Sequence, residues 1–157
     1  MPDSFKTISS LSEGIYKEKG SKFLSFAIPV KDLAEIKPRL DNYRKEYYDA
    51  RHVCYAYMLG AERNEFRAND DGEPSGTAGR PILGQINSFE LTNILVIVVR
   101  YFGGILLGTG GLITAYKEAA ADAIRQAQIV DITVKNEMTV RFDYPLMNEV
   151  MRIIKEF

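Results

Sequence analysis

The chain has one cysteine and one histidine among 157 residues, and its formal net charge is −1. A single Cys54 cannot form an internal disulfide, and a single His52 cannot assemble a histidine-based metal centre, which needs companion ligands. With a pI near 5.9, bulk attraction to nucleic acid or anionic membrane is not expected, so any such contact must come from a local patch. Met1 to Ser10 lacks the apolar core of a signal peptide, and no apolar run approaches the ~20 residues of a membrane span. A cytoplasmic protein without membrane contact is the expectation. At 46% hydrophobic and 26% charged residues, the chain is long enough to bury a good core.

Periodicity then orders the elements. Glu13 to Glu18 and Lys22 to Val30 flank Lys19-Gly20-Ser21, and Leu24, Phe26, Ile28 and Val30 share one face at period two, which predicts a β-hairpin. Asp32 is placed to cap a helix running to about Lys45, with Pro38 implying a kink or late start. A strand from Arg51 to Leu59 follows, continued beyond Gly60 by Glu62 to Phe66, and Cys54 within it reads as a buried thiol. Ile82 to Phe89 is a short helix, Asn93 to Arg100 a central strand, and Gly111 to Gln128 the strongest helix, with a mostly alanine inner face. Ile129 to Tyr144 reads as one long strand or two, broken near Lys135-Asn136, and Pro145 to Phe157 as an amphipathic helix. One such βα unit cannot bury Val150, Ile153 and Ile154 by itself. The expected division is therefore a first domain over 1–128 and the start of a second, cut short, over 129–157.

Chemistry concentrates in three places. Gly103, Gly104, Gly108, Gly110 and Gly111 fall within nine residues, after an apolar strand and before the alanine-rich helix. A helix N-terminus presents unpaired N–H groups and the positive end of the dipole, so this loop suits an anion around Thr109, with the alternative that the glycines only permit close packing. It matches neither G-x-x-x-x-G-K-[ST] nor G-x-G-x-x-G, so no cofactor is implied. Arg51, His52 and Arg100 converge with it if their strands are neighbours, and Arg80 closes the preceding long loop. In that loop Asp70, Asp71 and Glu73 are oxygen donors close in sequence, a candidate site for Mg2+ or Ca2+ or else a solvated acidic turn. Tyr101 and Phe102, at the mouth of the glycine loop, are candidates for stacking on single-stranded nucleic acid.

Three segments together resemble the Impact family in its bacterial, YigZ-like branch. They are Arg51-His52-Val53-Cys54-Tyr55-Ala56, the run from Asp70 to Pro81, and Val99-Arg100-Tyr101-Phe102-Gly103-Gly104 continued by Leu107 to Leu112 and Ala115-Tyr116. The resemblance implies an α+β fold: a ribosomal protein S5 domain 2-like mixed sheet with helices on one face. It also implies a ferredoxin-like second domain, similar to the last domain of elongation factor G, of which 129–157 would be the beginning. Eukaryotic relatives regulate translation by competing for the activator of a kinase that acts on an initiation factor. The reading that follows is a non-enzymatic regulator of translation that binds RNA, a ribosome-associated factor or another phosphate-bearing partner. The alternative is an enzyme acting on a small phosphorylated substrate with Mg2+, since the same fold houses small-molecule kinases with glycine loops.

Overall fold

The computed structural model describes residues 4–134. Seven strands and three helices follow in the order β1 (Ser4–Ile8), β2 (Ser12–Glu18), β3 (Ser21–Pro29), α1 (Ile36–Glu46), β4 (His52–Leu59), β5 (Glu65–Asn69), α2 (Gly79–Ser88), β6 (Ile94–Tyr101), α3 (Gly108–Gln126) and β7 (Ile129–Thr133). The hairpin and the central strand form as their periodicity predicts. Helix α1 is preceded by a short 3-10 turn at Leu33–Glu35, so Pro38 falls in its first turn, where the missing N–H removes no helical bond. Asp32 makes no side-chain cap; the Glu35 carboxylate instead accepts the Lys31 N–H.

Five strands form one sheet in the order β2-β3-β6-β4-β5, every pairing antiparallel. The α+β class holds, but within this sheet no pairing is parallel, and helices cover both faces rather than one. Alternation along the strands divides the core in two. Ile94, Val96 and Val98 of β6, with Cys54, Ala56 and Met58 of β4, pack under α2 and α3. Leu95, Ile97 and Val99, with Val53, Tyr55, Tyr57 and Leu59, pack with Ile36 and Leu40 of α1. Strand β6 is buried on both faces, which is why it reads as an unbroken apolar run. Each of its Ile, Leu and Val side chains contributes about 1.5–3 kcal/mol by leaving water.

Helix α3 lies close on the hairpin because its inner face is alanine and because Gly14 of β2 sits against the Ala123 backbone, where a Cβ would collide. Strand β7 pairs antiparallel with β1 in a separate two-stranded ribbon. The boundary drawn at 128/129 thus falls just before a strand held by the start of the chain. The expected break near Lys135-Asn136, the helix from Pro145 and the body of a second domain lie outside the described residues.

Candidate functional site

Strand register brings the predicted residues together. In the sheet His52 lies opposite Arg100, and Arg100 opposite Phe23 on its other side. All three share the face of Cys54 and Val98, toward α3. The helix begins at Gly108, so its N-terminus overhangs this end of the sheet. Between them is a hollow of about 380 Å3 whose walls include Arg51, His52, Glu73, Arg100, Phe102, Leu106, Gly108 and Thr109.

Its floor is a buried polar network. Arg100, 5% exposed, donates from Nη1 to both carboxylate oxygens of Glu73 at 3.0 and 2.8 Å. Glu73, 7% exposed, also accepts from the Tyr116 hydroxyl, and its Oε1 lies 3.3 Å from His52 Nε2. The other ring nitrogen, Nδ1, donates to the Asp71 carbonyl at 2.7 Å. Cys54, fully buried as predicted, donates to the Asp70 carbonyl at 3.1 Å. Burial pushes the Cys54 thiol far up and the Tyr116 phenol further still, so both groups stay protonated. The Arg100 guanidinium lies 5.6 Å from each of the Phe23 and Phe102 rings, and Arg51 lies 4.6 Å over Phe102. Among the described residues the buried Nε of Arg100 has no partner.

The acidic loop is folded by its own carboxylates rather than gathered around a cation. Asp70 accepts the N–H groups of Gly76, Ala78 and Gly79 at 3.0, 3.1 and 2.8 Å, which organises the turn into α2. Asp71 accepts the Val53 N–H at 2.7 Å. Glu73 is committed to Arg100, Tyr116 and His52. Among the described residues no three His, Cys, Asp or Glu side chains are grouped to hold a metal.

The other candidates take different places, some in the hollow and some away from it. Arg100, expected as a free phosphate ligand, has its charge matched by Glu73. Arg80 is exposed in the first turn of α2, which starts at Gly79 rather than Ile82, and it stands outside the walls of the hollow. Alternation turns Tyr101 to the opposite face from Arg100, where its hydroxyl donates to Asp49 at 2.9 Å. Gly103 packs on the Gly20 and Ser21 backbone and leaves no room for a Cβ, so there the packing alternative holds. Gly104, Gly108 and Gly110 face open space. Gly110 and Gly111 line a second hollow of about 310 Å3 with Tyr16, Glu18, Lys19, Leu107 and Thr114. No side chain caps the helix. Tyr55 and Tyr57 are core residues, stacked at 6.5 Å.

Tyr116 was not singled out by residue chemistry, although one signal was present. It is the single phenol on a buried helix face otherwise made of alanine, Leu112 and Ile124. A buried hydroxyl there requires a partner from the sheet.

Comparison with known proteins gives a consistent result. The Impact N-terminal domain matches residues 19–124. The IMPACT family member YigZ of Escherichia coli is 39% identical over 128 residues, covering 80% of this chain and 63% of its own length. The IMPACT family member YvyE of Bacillus subtilis is 32% identical over 156 residues, covering 99% of this chain and 72% of its own. A crystal structure described as that of a hypothetical protein superposes with a TM-score of 0.81 at 36% identity, covering 85% of this chain and 66% of that one. The chain thus spans somewhat under two thirds of the E. coli relative. No described helix is long and apolar enough to cross a membrane.

Proposed function

The chain belongs to the Impact family, and on that footing we propose that it is a non-enzymatic regulator of translation that binds a phosphate-bearing partner through the hollow at the N-terminus of α3. RNA is the partner this reading favours, with a ribosome-associated protein as the other. The family resemblance supplies the translational setting. The observation that carries the binding reading is the shared opening of an uncapped 19-residue helix and the exposed Arg51 guanidinium into one hollow. Glu73 cancels the charge of Arg100, so Arg51 and the helix dipole are what an anion meets. The dipole contributes about 0.3–1 kcal/mol, and a charge-assisted bond from Arg51 about 1.5–3 kcal/mol. An Mg2+-dependent enzyme finds less support, because Asp70 holds the turn into α2, Asp71 accepts from Val53 of β4 and Glu73 is paired with Arg100.

The test is RNA affinity as a function of salt. Binding through phosphate weakens steeply between about 50 and 200 mM salt, and Arg51→Ala weakens it across sequences alike. Salt-independent affinity, or Arg51→Ala binding as tightly as wild type, refutes the assignment.

A further inference from the structure

The five-stranded sheet has two edges, and among the described residues the fold closes one of them. Along β2, helix α3 lies against the edge: the Ile15 N–H donates to the Asp122 carboxylate at 2.9 Å, the Ser12 hydroxyl donates to the Ala123 carbonyl at 2.7 Å, and Gly14 rests on the Ala123 backbone. Along β5 the outer edge is bare. Glu65, Phe66 and Arg67 are all exposed, and among the described residues only β4 bonds their backbone. A free edge of this kind is a template for a further strand.

Strand β5 is held firmly at both ends. At the β4–β5 turn Arg63 donates from Nε to the Leu91 carbonyl at 3.1 Å and from Nη2 to Asn87 Oδ1 at 2.8 Å, and the Thr92 hydroxyl donates to the Gly60 carbonyl at 2.7 Å. At the other end Asp70 accepts the first amides of α2, and Gly79 sits on the Asn69 backbone. An edge ordered in advance loses little freedom on pairing. Phe66 lies opposite Met58, on the face covered by α2, and is 57% exposed, whereas Ala68, two residues on, packs against the core. The ring therefore stands at the rim of the sheet, largely in water.

Charge decides what this edge accepts. Glu65 and Arg67 share the other face of β5, one on each side of Phe66. Edge strands are commonly guarded by charges that repel a second copy. Here the two charges are opposite in sign. When two β5 strands pair antiparallel about Phe66, Glu65 of each copy lies opposite Arg67 of the other, and the two Phe66 rings meet on the α2 face. Moving the centre to Glu65 or to Arg67 sets like charges opposite one another, so the sequence favours a single register. A strand of unrelated sequence gains the backbone bonds without these side-chain pairs.

We propose that this chain forms a two-fold homodimer in which β5 pairs antiparallel with β5 of a second copy, centred on Phe66, joining the two five-stranded sheets into one. The interface is small and belongs to the weak, reversible class. Phe66, opposite Met58, lies roughly 20 Å along β4 from His52. The contact is therefore remote from the hollow, and the inference stands independently of the binding reading above.

Sedimentation equilibrium of the full chain at concentrations up to about 1 mM tests it, with wild type, Glu65→Arg, Arg67→Glu, the two exchanged together in one chain, and Phe66→Ser. All three positions are exposed, so melting temperatures are expected to change little. Wild type is expected to show a monomer–dimer equilibrium. Each single reversal sets like charges together at two symmetric places and weakens association about tenfold, roughly threefold from each. Phe66→Ser weakens it at least as much. The double exchange, and an equimolar mixture of Glu65→Arg with Arg67→Glu, restore opposite-sign pairs and regain wild-type association. The mixture is the decisive arm, because two misfolded chains do not rescue each other. A wild type that stays monomeric at about 1 mM overturns the proposal, and slow exchange of every β5 amide in that monomer then assigns the edge to another segment of the same chain. A dimer indifferent to the three substitutions lies on another surface and overturns it too. So does a mixture that fails to regain association.

Discussion

Replacing Glu73 by alanine tests whether the floor of the hollow holds the fold together. The Glu73 and Arg100 side chains are 3% and 6% exposed and meet at 2.8 Å, so removing the carboxylate leaves a guanidinium without its countercharge among Phe23, Phe102 and α3. Breaking a buried pair from one side costs about 3–5 kcal/mol. The Tyr116 hydroxyl loses its acceptor in the same step. Against a total stability of about 5–15 kcal/mol for a domain, that is a large share. Urea unfolding followed by far-UV circular dichroism measures it directly, the chain having no tryptophan to report by fluorescence. Glu73→Gln keeps the shape and an acceptor oxygen but not the charge, so it should fall between wild type and Glu73→Ala. Replacing both partners, Glu73→Leu with Arg100→Met, should recover most of the loss, since a well-packed apolar pair of similar volume is often no less stable. A loss below about 1 kcal/mol for Glu73→Ala, the size expected of an exposed ion pair, refutes the claim that the pair is desolvated and structural.

Further outcomes follow from the same geometry. Gly103→Ala places a methyl on the Gly20 and Ser21 backbone and should cost about 1–3 kcal/mol in urea unfolding. Gly110→Ala, with open space around it, should be neutral or stabilise by up to about 1 kcal/mol through helix propensity. Cys54 should resist a thiol-specific reagent in the native protein at mildly alkaline pH and react once guanidinium unfolds the chain, because burial holds the thiol protonated. Burial, then the hydrogen bond to Asp49, pushes Tyr101 from an ordinary value of 10.0 up to about 12. The unfolded phenol ionises first, so this contribution to stability is whole below pH 10 and is lost as pH rises toward 12. Tyr101→Phe should flatten that part of an alkaline unfolding curve.

The contrast between residues foreseen and residues missed has a physical pattern. Local periodicity was sufficient for the hairpin, for β6 and for α3, because each buries a face that its own spacing reveals. The meeting of His52 with Arg100 was legible conditionally: both sit at the end of an apolar strand with the same parity, and only the adjacency of β4 and β6 had to be supplied. What could not be read were partners far away in sequence. Strand β7 pairs with β1 across more than a hundred residues, and nothing in either strand names the other. Asp70, Asp71 and Glu73 looked like one cluster because sequence measures distance along the chain. In space the turns between them aim one carboxylate at the start of α2, one at β4 and one at Arg100. The same folding of the loop that spreads these carboxylates apart builds the floor of the hollow, by placing a countercharge beside Arg100 while Arg51 stays exposed. Glycines divide likewise: Gly103 is explained by the backbone it touches, whereas a Cβ added at Gly110 would meet open space. A residue whose smallness the protein itself does not use is where an outside group has room, and that places the search for a ligand at the first turn of α3.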